Sequence, residues 1–229
     1  MSLLLKVEGL SKTFKTRNGE IEVFKNLSFE LNLGEVVVIY GRSGEGKSTL
    51  LGILSGLDRQ TSGSVEFAGH SLAGMSVAGL AELRAEKIGM IFQSFNLISC
   101  WTAVENVEAV LMHRGIPAAK RREKAVKVLQ ELGLGNRLDN YPSELSVGQQ
   151  QRVAVARTLV NDPILILADE PTGDVDAETA REVVDLLLPR VRNGSAAMLV
   201  ATHGAFTADD ADRVLRLENG DLKVEAPAV

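Results

Sequence analysis

Residues 36–49 read VVVIYGRSGEGKST, a short apolar run followed by a glycine-rich turn and the start of a helical pattern. The run Val36–Tyr40 is apolar and largely β-branched, which is typical of a strand that is covered on both faces. From Gly41 to Ser48 the sequence fits G-x-x-x-x-G-K-[ST], in the strand–loop–helix setting that this pattern requires. The stretch therefore predicts a phosphate-binding loop rather than an ordinary glycine turn.

Every residue of this loop is a candidate contact for the phosphates of a nucleotide. Its glycines let backbone N–H groups turn inward around phosphate oxygens, and the helix that follows adds its positive N-terminal end. We expect Lys47 to meet the β- and γ-phosphates and the Ser48 hydroxyl to bind Mg²⁺. The predicted contacts are Gly41, Arg42, Ser43, Gly44, Glu45, Gly46, Lys47, Ser48 and Thr49.

A second apolar run, residues 164–168, leads directly into Asp169 and Glu170. Because ligands of parallel α/β sheets bind at the carboxyl ends of strands, both carboxylates are expected beside the phosphate loop. Asp169 suits the Mg²⁺ shell, and Glu170 is placed to polarise a water for attack on the γ-phosphate. Kinases, GTPases and ATPases share such a loop, but the Asn-Lys-x-Asp sequence of a guanine site is absent from the chain.

Composition limits the class of protein. The chain has 229 residues, of which 45% are hydrophobic, so it can bury a sizeable core. A net charge of −5 argues against general nucleic-acid binding. Cys100 is the single cysteine, which excludes an intrachain disulfide and favours a reducing compartment. The apolar runs are far shorter than the about 20 residues of a membrane span, so we expect a soluble chain that reaches a membrane through a partner.

Strand and helix patterns alternate along much of the chain, which predicts a mostly parallel α/β sheet. Further strands are expected at residues 3–10, 21–31, 64–68, 197–201 and 214–217. Helices are expected at residues 47–57, 123–132, 149–160, 178–188 and 208–212, with Pro189 ending the fourth of them. The strand-rich start and the helical middle are additions to the sheet.

Residues 145–149 read LSVGQ and precede a helical pattern. Here the sequence resembles the ATP-binding subunits of ABC transporters, whose signature is Leu-Ser-Gly-Gly-Gln before a helix of this type. Ser146 suits the N-cap of the helix, and a helix N-terminus is again a site for an anion. The resemblance implies that Ser146, Gly148 and Gln149 face the γ-phosphate held by the opposite subunit.

Other landmarks of the family follow in order. The resemblance implies that Phe14 stacks on adenine, that Gln93 senses the metal and the γ-phosphate, and that His203 contacts the γ-phosphate. It also implies that residues 172–176 cross a dimer interface. Taken singly, Phe14 could belong to the core, Gln93 could be a polar residue at a strand end, and His203 could be an ordinary loop histidine. Their common order along the chain favours the functional interpretation.

The resemblance extends from about residue 5 to residue 223 and implies the fold of a P-loop NTPase. This fold has a mostly parallel core sheet, an antiparallel β subdomain and a helical signature subdomain. We expect one ATP-binding domain over residues 1–229, with the nucleotide-binding core at 1–93 and 157–229 and the helical subdomain at 94–156.

The same resemblance implies an ATPase with ATP and Mg²⁺ as cofactors, which forms a homodimer on two ATP molecules and drives a separate transmembrane permease. Residues 92–97, FQSFNL, and residues 102–107, TAVENV, look like the branch that serves lipoprotein release, macrolide-type efflux, haem or peptide export, and the cell-division ATPase. The implied location is cytoplasmic, at the inner face of the cell membrane through the permease, with a hydrophobic or amphipathic cargo and no nucleic acid.

Two alternatives come from other classes of protein. The cell-division ATPase of this branch signals across the membrane without moving a substrate, and the chain alone does not separate that function from transport. Soluble ABC ATPases that act on ribosomes or DNA usually carry tandem domains or long coiled coils, and this chain has neither.

The segment from Phe95 to Trp101 is where the resemblance places the membrane subunit. Its apolar residues Leu97, Ile98 and Trp101 could form the helical part's own core or a groove for a short helix of the partner. Both interpretations stay open at this point.

Five positions depart from the family pattern: Arg42, Glu45, Val147, Val175 and Gly204. Val147 replaces the first glycine of the signature pair, so we expect an ordinary backbone there, since valine disfavours positive φ. A carboxylate aimed at the triphosphate would be repelled, so we expect Glu45 to point outward, toward Arg42. None of these changes removes a group that hydrolysis needs.

Overall fold

The computed structural model describes residues 2–17, 19–173, 176–203 and 210–225. The strands are β1 (Leu3–Thr16), β2 (Gly19–Asn32), β3 (Val36–Tyr40), β4 (Ser62–Phe67), β5 (His70–Ser71), β6 (Ile88–Ile91), β7 (Leu165–Asp169), β8 (Ala197–Thr202), β9 (Arg213–Glu218) and β10 (Asp221–Glu225). The α-helices are α1 (Lys47–Leu54), α2 (Val77–Lys87), α3 (Ala103–Glu108), α4 (Ala118–Glu131), α5 (Val147–Leu159) and α6 (Ala177–Arg192). Short 3₁₀ helices lie at Leu72–Gly74, Ala109–Arg114 and Pro142–Glu144.

The strands form two sheets of different kinds. One has the order β10-β9-β3-β8-β7-β6 and is parallel except for β10. The other has the order β2-β1-β4-β5 and is antiparallel. Together with the helical middle of the chain, they confirm the predicted α/β class, with a mostly parallel core sheet, an antiparallel β part and a helical part.

Strand β3 lies inside the parallel sheet and is covered on both faces, as its sequence predicts. Val37 and Ile39 join the apolar cluster that contains residues of the antiparallel sheet and α1, whereas Val36 and Val38 pack with residues of the helices on the other face. All four side chains are 0% exposed. The loop that follows therefore leaves the sheet from a fixed point.

Helix α5 connects the helical part to the parallel sheet. It packs against α3 and α4, and it also contacts β6 and α6. Val153 and Val155 are fully buried among apolar residues of these neighbours. The predicted boundary between residues 156 and 157 falls inside this helix.

The prediction that Pro189 ends a helix is wrong, because α6 continues through Pro189 to Arg192. Val191 lies one half-turn beyond the proline and is 0% exposed, so the apolar face extends past the point where a backbone hydrogen bond is lost. Arg192 pairs with Asp212 at 2.6 Å, and Gly194, with φ +78°, follows the end of the helix.

Several predicted boundaries also move. Helix α4 begins at Ala118 rather than at residue 123, and α1 ends at Leu54 rather than at residue 57, where Gly56 takes φ +69°. The helix predicted over residues 208–212 lies partly outside the described residues. Within the part of the chain that the structure describes, no helix is long and apolar enough to cross a membrane.

Candidate nucleotide site

The carboxyl ends of β3, β7 and β8 meet at one edge of the parallel sheet, beside a cleft of about 480 Å³. Its lining is Val23, Arg42, Ser43, Gly44, Gly46, Lys47, Ser48, Thr49, Gln93, Asp169, Glu170 and His203. Apart from Val23, all of these were predicted as site residues from the sequence. Residues that are up to 180 positions apart in the chain, Val23 and His203, are thereby brought to one cleft, as ligand binding at a sheet edge requires.

The loop between β3 and α1 has the backbone that the glycine pattern predicts. Gly44 and Gly46 take φ values of +86° and +95°. A Cβ at residue 46 would lie 2.4 Å from Cγ1 of Val23, so this turn needs glycine for space as well as for conformation. Helix α1 begins at Lys47 with no side-chain cap from the described residues, and its first N–H groups suit phosphate oxygens.

Lys47 is only 7% exposed and points back into the loop. Its Nζ donates to the carbonyl oxygens of Gly41 at 2.7 Å and Arg42 at 3.3 Å, and it lies 3.5 Å from Oε1 of Glu170. The ammonium thus stands between the loop and the acidic end of β7. A triphosphate in the cleft would meet this charge directly.

Glu45 turns toward Arg42, as expected, and does not line the cleft, but it is half-buried rather than directed to solvent. Its Oε2 accepts a hydrogen bond from the backbone N–H of Arg42 at 2.6 Å, which folds the half-buried carboxylate against the start of the loop. The contact is available because arginine has a backbone N–H to donate, which a proline at this position would lack. Gly41 and Glu45 therefore support the loop without lining the cleft.

Glu170 is a buried carboxylate at the end of β7, 8% exposed. Its backbone has φ +47°, an unfavourable value for this residue type, and its N–H donates to the Ala201 carbonyl on β8 at 2.8 Å. Its Oε1 lies 2.7 Å from Nδ1 of His203, and its Oε2 accepts from the His203 backbone N–H at 3.2 Å. The carboxylate is thus fixed by His203 on one side and by Lys47 on the other.

Asp169 lies next to Ser48 at the end of the same strand. Burial raises the pKa of the Asp169 carboxyl, while the hydrogen bond with the Ser48 hydroxyl and the charge of Lys47 act in the opposite direction. The hydroxyl of Ser48, the carboxylate of Asp169 and the amide oxygen of Gln93 are the hard oxygen donors that Mg²⁺ prefers. The described ranges contain no group of three or more His, Cys, Asp or Glu residues that could hold a metal ion.

Phe14 lies outside the lining of this cleft, on the long strand β1. Its ring is 40% exposed, so it is not a core residue. The ammonium of Lys12 lies 4.4 Å from the ring centroid and also pairs with Asp58 at 2.8 Å. An exposed ring that is held by a cation on one side has a face left for stacking on a planar ligand.

The signature residues Ser146, Gly148 and Gln149 also lie outside the cleft of their own chain, at the start of α5. Ser146 and Gln149 form a reciprocal capping box, in which the Ser146 hydroxyl accepts from the Gln149 N–H and the Gln149 amide oxygen accepts from the Ser146 N–H. A Cβ at Gly148 would lie 2.9 Å from the Thr179 side chain on α6, which explains the glycine. Val147 is the first helical residue, as its expected ordinary backbone requires.

Part of the predicted dimer-crossing loop lies outside the described residues. Asp174 and Val175 belong to that part, and so does Gly204, the departure that follows His203. Thr172 is buried, and its hydroxyl has no hydrogen-bond partner among the described residues.

Sequence reasoning missed four residues around the site: Val23, Lys12, Gln151 and Arg157. Lys12 was open to prediction, because residues two apart on a strand share a face and Phe14 had been singled out. The place of Val23 in the cleft lining could not be predicted, since valine is common on strands and its residue type does not indicate a binding site.

Comparison with known proteins gives the same family at each level. The ABC transporter family profile matches residues 24–173 of the chain. An uncharacterized ABC transporter ATP-binding protein of Thermotoga maritima is 41% identical over 223 residues, which is 97% of this chain and 95% of the relative. Macrolide export ATP-binding/permease proteins MacB of Shigella sonnei and Brucella melitensis are 40% and 42% identical. This chain spans only 35% and 34% of their lengths.

Solved structures agree with these relatives. The ATP-binding cassette MJ0796, in a dimeric post-hydrolysis state bound to ADP and Pi, is similar with a TM-score of 0.90 at 35% identity. The match covers 99% of this chain and 100% of that one. The structure of cbiO1 from Clostridium perfringens, part of the ABC transporter complex cbiONQ, is similar with a TM-score of 0.85 at 27% identity. With the strand–loop–helix cleft, the LSVGQ helix and these matches together, the chain belongs to the ABC transporter family, as one of its ATP-binding cassettes.

Proposed function

We propose that the chain binds ATP with Mg²⁺, hydrolyses it to ADP and phosphate, and thereby drives a separate transmembrane permease. The observation that carries the proposal is the position of Glu170 at the rim of the phosphate loop. Its buried carboxylate is held between Lys47 and His203 at the end of β7, where an attacking water would be activated.

Nucleotide binding would use the loop amides and a small set of side chains. Backbone N–H groups from Ser43 to Thr49 surround the phosphates, and Lys47 neutralises the β- and γ-phosphates. Ser48, Asp169 and Gln93 would hold Mg²⁺, which supplies charge neutralisation to the phosphate oxygens when bound. Phe14 would offer its exposed ring to the adenine.

Hydrolysis would place Glu170 as the general base. It accepts a proton from a water molecule, whose oxygen forms a bond to the γ-phosphorus as the bond to the β–γ bridging oxygen breaks, so that ADP leaves. His203 orients the Glu170 carboxylate through the 2.7 Å contact and meets the γ-phosphate on its other side. Lys47 stabilises the charge on the phosphate oxygens during this transfer.

A second copy of the chain would complete each site. Ser146, Gly148 and Gln149 lie at the N-terminus of α5, away from their own cleft, where the positive end of a helix suits the γ-phosphate of an opposing copy. The solved relative MJ0796 is described as a dimer, with ADP and Pi in one state, and this likeness supports the same arrangement here. Two copies would close on two ATP molecules as a homodimer.

The permease would contact the segment from Phe95 to Trp101. Ile98 is 41% exposed there, while Trp101 is half-buried and so belongs only partly to the helical core. Relatives named as macrolide exporters join an ATP-binding part to a permease in one chain, which supports an export function with a hydrophobic or amphipathic cargo. The chain would then sit at the cytoplasmic face of the membrane through its permease.

The decisive test is the exchange of Glu170 for glutamine, which keeps the shape of the side chain but cannot accept the proton. We expect Glu170→Gln to lower ATP turnover at least about 100-fold while ATP binding persists, because the loop contacts are untouched. Phosphate release measures turnover, and size-exclusion chromatography with ATP and Mg²⁺ measures dimer formation, which should increase in the variant.

Near-normal turnover in the variant would remove Glu170 from the mechanism, and no ATP turnover in the parent chain would contradict the proposed activity. For the transport step, the chain and its co-purified permease would be placed in liposomes with ATP. ATP-dependent movement of an amphipathic cargo supports export, whereas turnover without movement points to signalling.

A further inference from the structure

Helix α5 reaches two places at which the chain leaves the catalytic edge of the sheet. Gln93 follows β6 and Glu170 directly follows β7, and both line the nucleotide cleft. In each case the backbone just after the cleft residue is held by a side chain of α5.

Arg157 holds the segment that follows Gln93. Its Nη2 donates to the Phe95 carbonyl and its Nη1 to the Asn96 carbonyl, each at 2.6 Å. The planar guanidinium thus binds two consecutive carbonyl oxygens as a fork. Burial lowers the pKa of the Arg157 guanidinium, which remains charged, so these carbonyls replace the water that the cation has lost.

The segment that Arg157 holds has an unfavourable backbone. Phe95 and Asn96 take φ values of +53° and +50°, so two consecutive residues other than glycine are left-handed. L-residues visit this region mostly singly, because Cβ approaches the following carbonyl oxygen. Such a conformation persists only where surrounding contacts fix it, and the two Arg157 hydrogen bonds are the contacts at these carbonyls.

Other side chains of α5 fix the helix relative to the strands and loops around the cleft, so the Arg157 guanidinium is held in a defined position. The Thr158 hydroxyl donates to the Met90 carbonyl on β6 at 2.9 Å. Gln151, which is 1% exposed, donates through Nε2 to the Pro171 carbonyl, one residue after Glu170. The same rigid helix therefore touches the strand before Gln93, the segment after it, and the loop that carries Glu170.

We propose that Arg157 is a positioning residue for Gln93: by holding the left-handed pair Phe95–Asn96 against α5, it sets where the Gln93 side chain stands relative to Glu170. Arg157 does not line the cleft and acts only through the backbone. The inference rests on the proposed ATPase function for its catalytic consequence, whereas the placement of the segment itself can be measured without nucleotide.

The test compares Arg157→Lys with a matched control, Arg190→Lys. Lysine keeps the charge at residue 157 but cannot bind two carbonyls as a planar fork. Arg190 lies on α6, where it pairs with Asp162 at 3.2 Å and Glu131 at 3.5 Å, away from the cleft lining. We expect Arg157→Lys to lower kcat about tenfold, since a displacement of the order of 1 Å at a reacting group can cost more than that, and Arg190→Lys to leave it unchanged.

A double-mutant cycle separates positioning of Gln93 from a general structural effect. If Arg157 acts through Gln93, adding Arg157→Lys to Gln93→Ala should produce no further loss of kcat. Losses that multiply would overturn the proposal, and so would parent-like turnover of Arg157→Lys. Inactivity of the parent would instead count against the proposed function.

The second readout is amide hydrogen exchange of the unliganded protein. We expect faster exchange at Phe95 and Asn96 in Arg157→Lys than in the parent and in Arg190→Lys, and equal rates would overturn the proposal. Should Arg157→Lys unfold, Asn96→Pro disturbs the same contact from the loop side, because proline fixes φ near −65° and cannot follow +50°. It should lower kcat in the same way, again without adding to Gln93→Ala.

Discussion

At the scale of single residues, the cleft holds a lysine and two carboxylates within one small, largely buried volume. Lys47 and Glu170 are 7% and 8% exposed, with Nζ and Oε1 3.5 Å apart. Removing either charge leaves the other buried with fewer partners, so these residues affect stability as well as binding. The phosphate loop is therefore not a neutral site for substitution even without nucleotide.

Lys47→Ala should weaken ATP binding at least about tenfold, because it removes a charge-assisted contact to phosphate. It should also lower the melting temperature of the unliganded protein by a few degrees, since Glu170 loses its buried cation. Calorimetric titration with ATP and a thermal melt measure the two effects.

The control is Lys25→Ala, which removes a lysine that is 71% exposed and forms a weak surface ion pair with Glu22 at 3.8 Å. This change should leave both quantities unchanged. Parent-like ATP affinity in Lys47→Ala would contradict the phosphate-loop assignment.

Asp169 gives a pH-dependent prediction. Burial raises the pKa of its carboxyl in the folded chain, so the folded state disfavours the charged form. The unfavourable contribution to the free energy of unfolding therefore grows as the pH rises from the ordinary pKa of 3.8 through the raised value, and it is fully present well above it. Asp169→Asn should raise the melting temperature of the unliganded protein at pH 7, with a smaller gain near pH 4.

The same variant should lose Mg²⁺-dependent ATP turnover, because the amide is a poorer ligand for the ion than the carboxylate. Melts at the two pH values and a phosphate-release assay are sufficient to check both parts. An unchanged or lower melting temperature of Asp169→Asn at pH 7 would contradict the prediction and show that neighbouring groups offset the cost of burying the Asp169 carboxylate.

At the scale of elements, the sequence predicts best the short strands that are continuous apolar runs. Strands β3 and β7 were predicted because four or more apolar residues run between turn signals, and buried parallel strands have that pattern. The place of the Asp169 and Glu170 carboxylates beside the phosphate loop was predicted from their position at the carboxyl end of the apolar run. The contacts of Glu170 with Lys47 and His203 were not predicted, because side-chain directions across neighbouring strands depend on packing between distant parts of the chain.

Helix ends were predicted less well, since tertiary packing overrides local signals. Proline at residue 189 would end an isolated helix. In the folded chain, burial of Val191 stabilises the final turn beyond the proline. Likewise, nothing local in the sequence indicates that Arg157 binds the carbonyls of Phe95 and Asn96, more than 60 positions earlier.

Pro189→Ala should stabilise the protein, because alanine restores a backbone donor inside α6 and removes the ring from the preceding turn. We expect the free energy of unfolding to rise by about 1 kcal/mol, as measured by urea denaturation. Pro117→Ala is the matched control, since Pro117 precedes the first turn of α4 and blocks no helical hydrogen bond. Equal effects of the two changes would mean that α6 has adapted fully to its proline.

At the scale of the whole molecule, the nucleotide cleft and the proposed permease contact are joined by one short segment. The Asn106 side chain accepts from the Ile98 N–H at 2.7 Å and donates to the carbonyls of Ile98 and Trp101 at 3.1 Å. This buried asparagine fixes the backbone, so the exposed Ile98 side chain is presented on a defined surface.

Ile98→Glu should leave the melting temperature and the ATP turnover of the isolated chain unchanged, because no buried or phosphate contact is altered. It should weaken co-purification with the permease, since a carboxylate without a partner is costly to desolvate in an apolar contact. The control is Val77→Glu, which alters an exposed apolar residue elsewhere, on α2. Equal recovery of permease with both variants would place the contact elsewhere.

The separation of Ser146 from its own cleft has a consequence for inheritance. In the proposed pair, a chain with a defective signature helix harms only the site of its neighbour, whereas a chain with a defective Glu170 harms only its own. Two alleles that are each inactive can therefore complement one another in a mixed pair, which contains one fully defective site and one intact site. If the proposed pair forms, the effect of one allele would therefore depend on which other allele is present in the same cell.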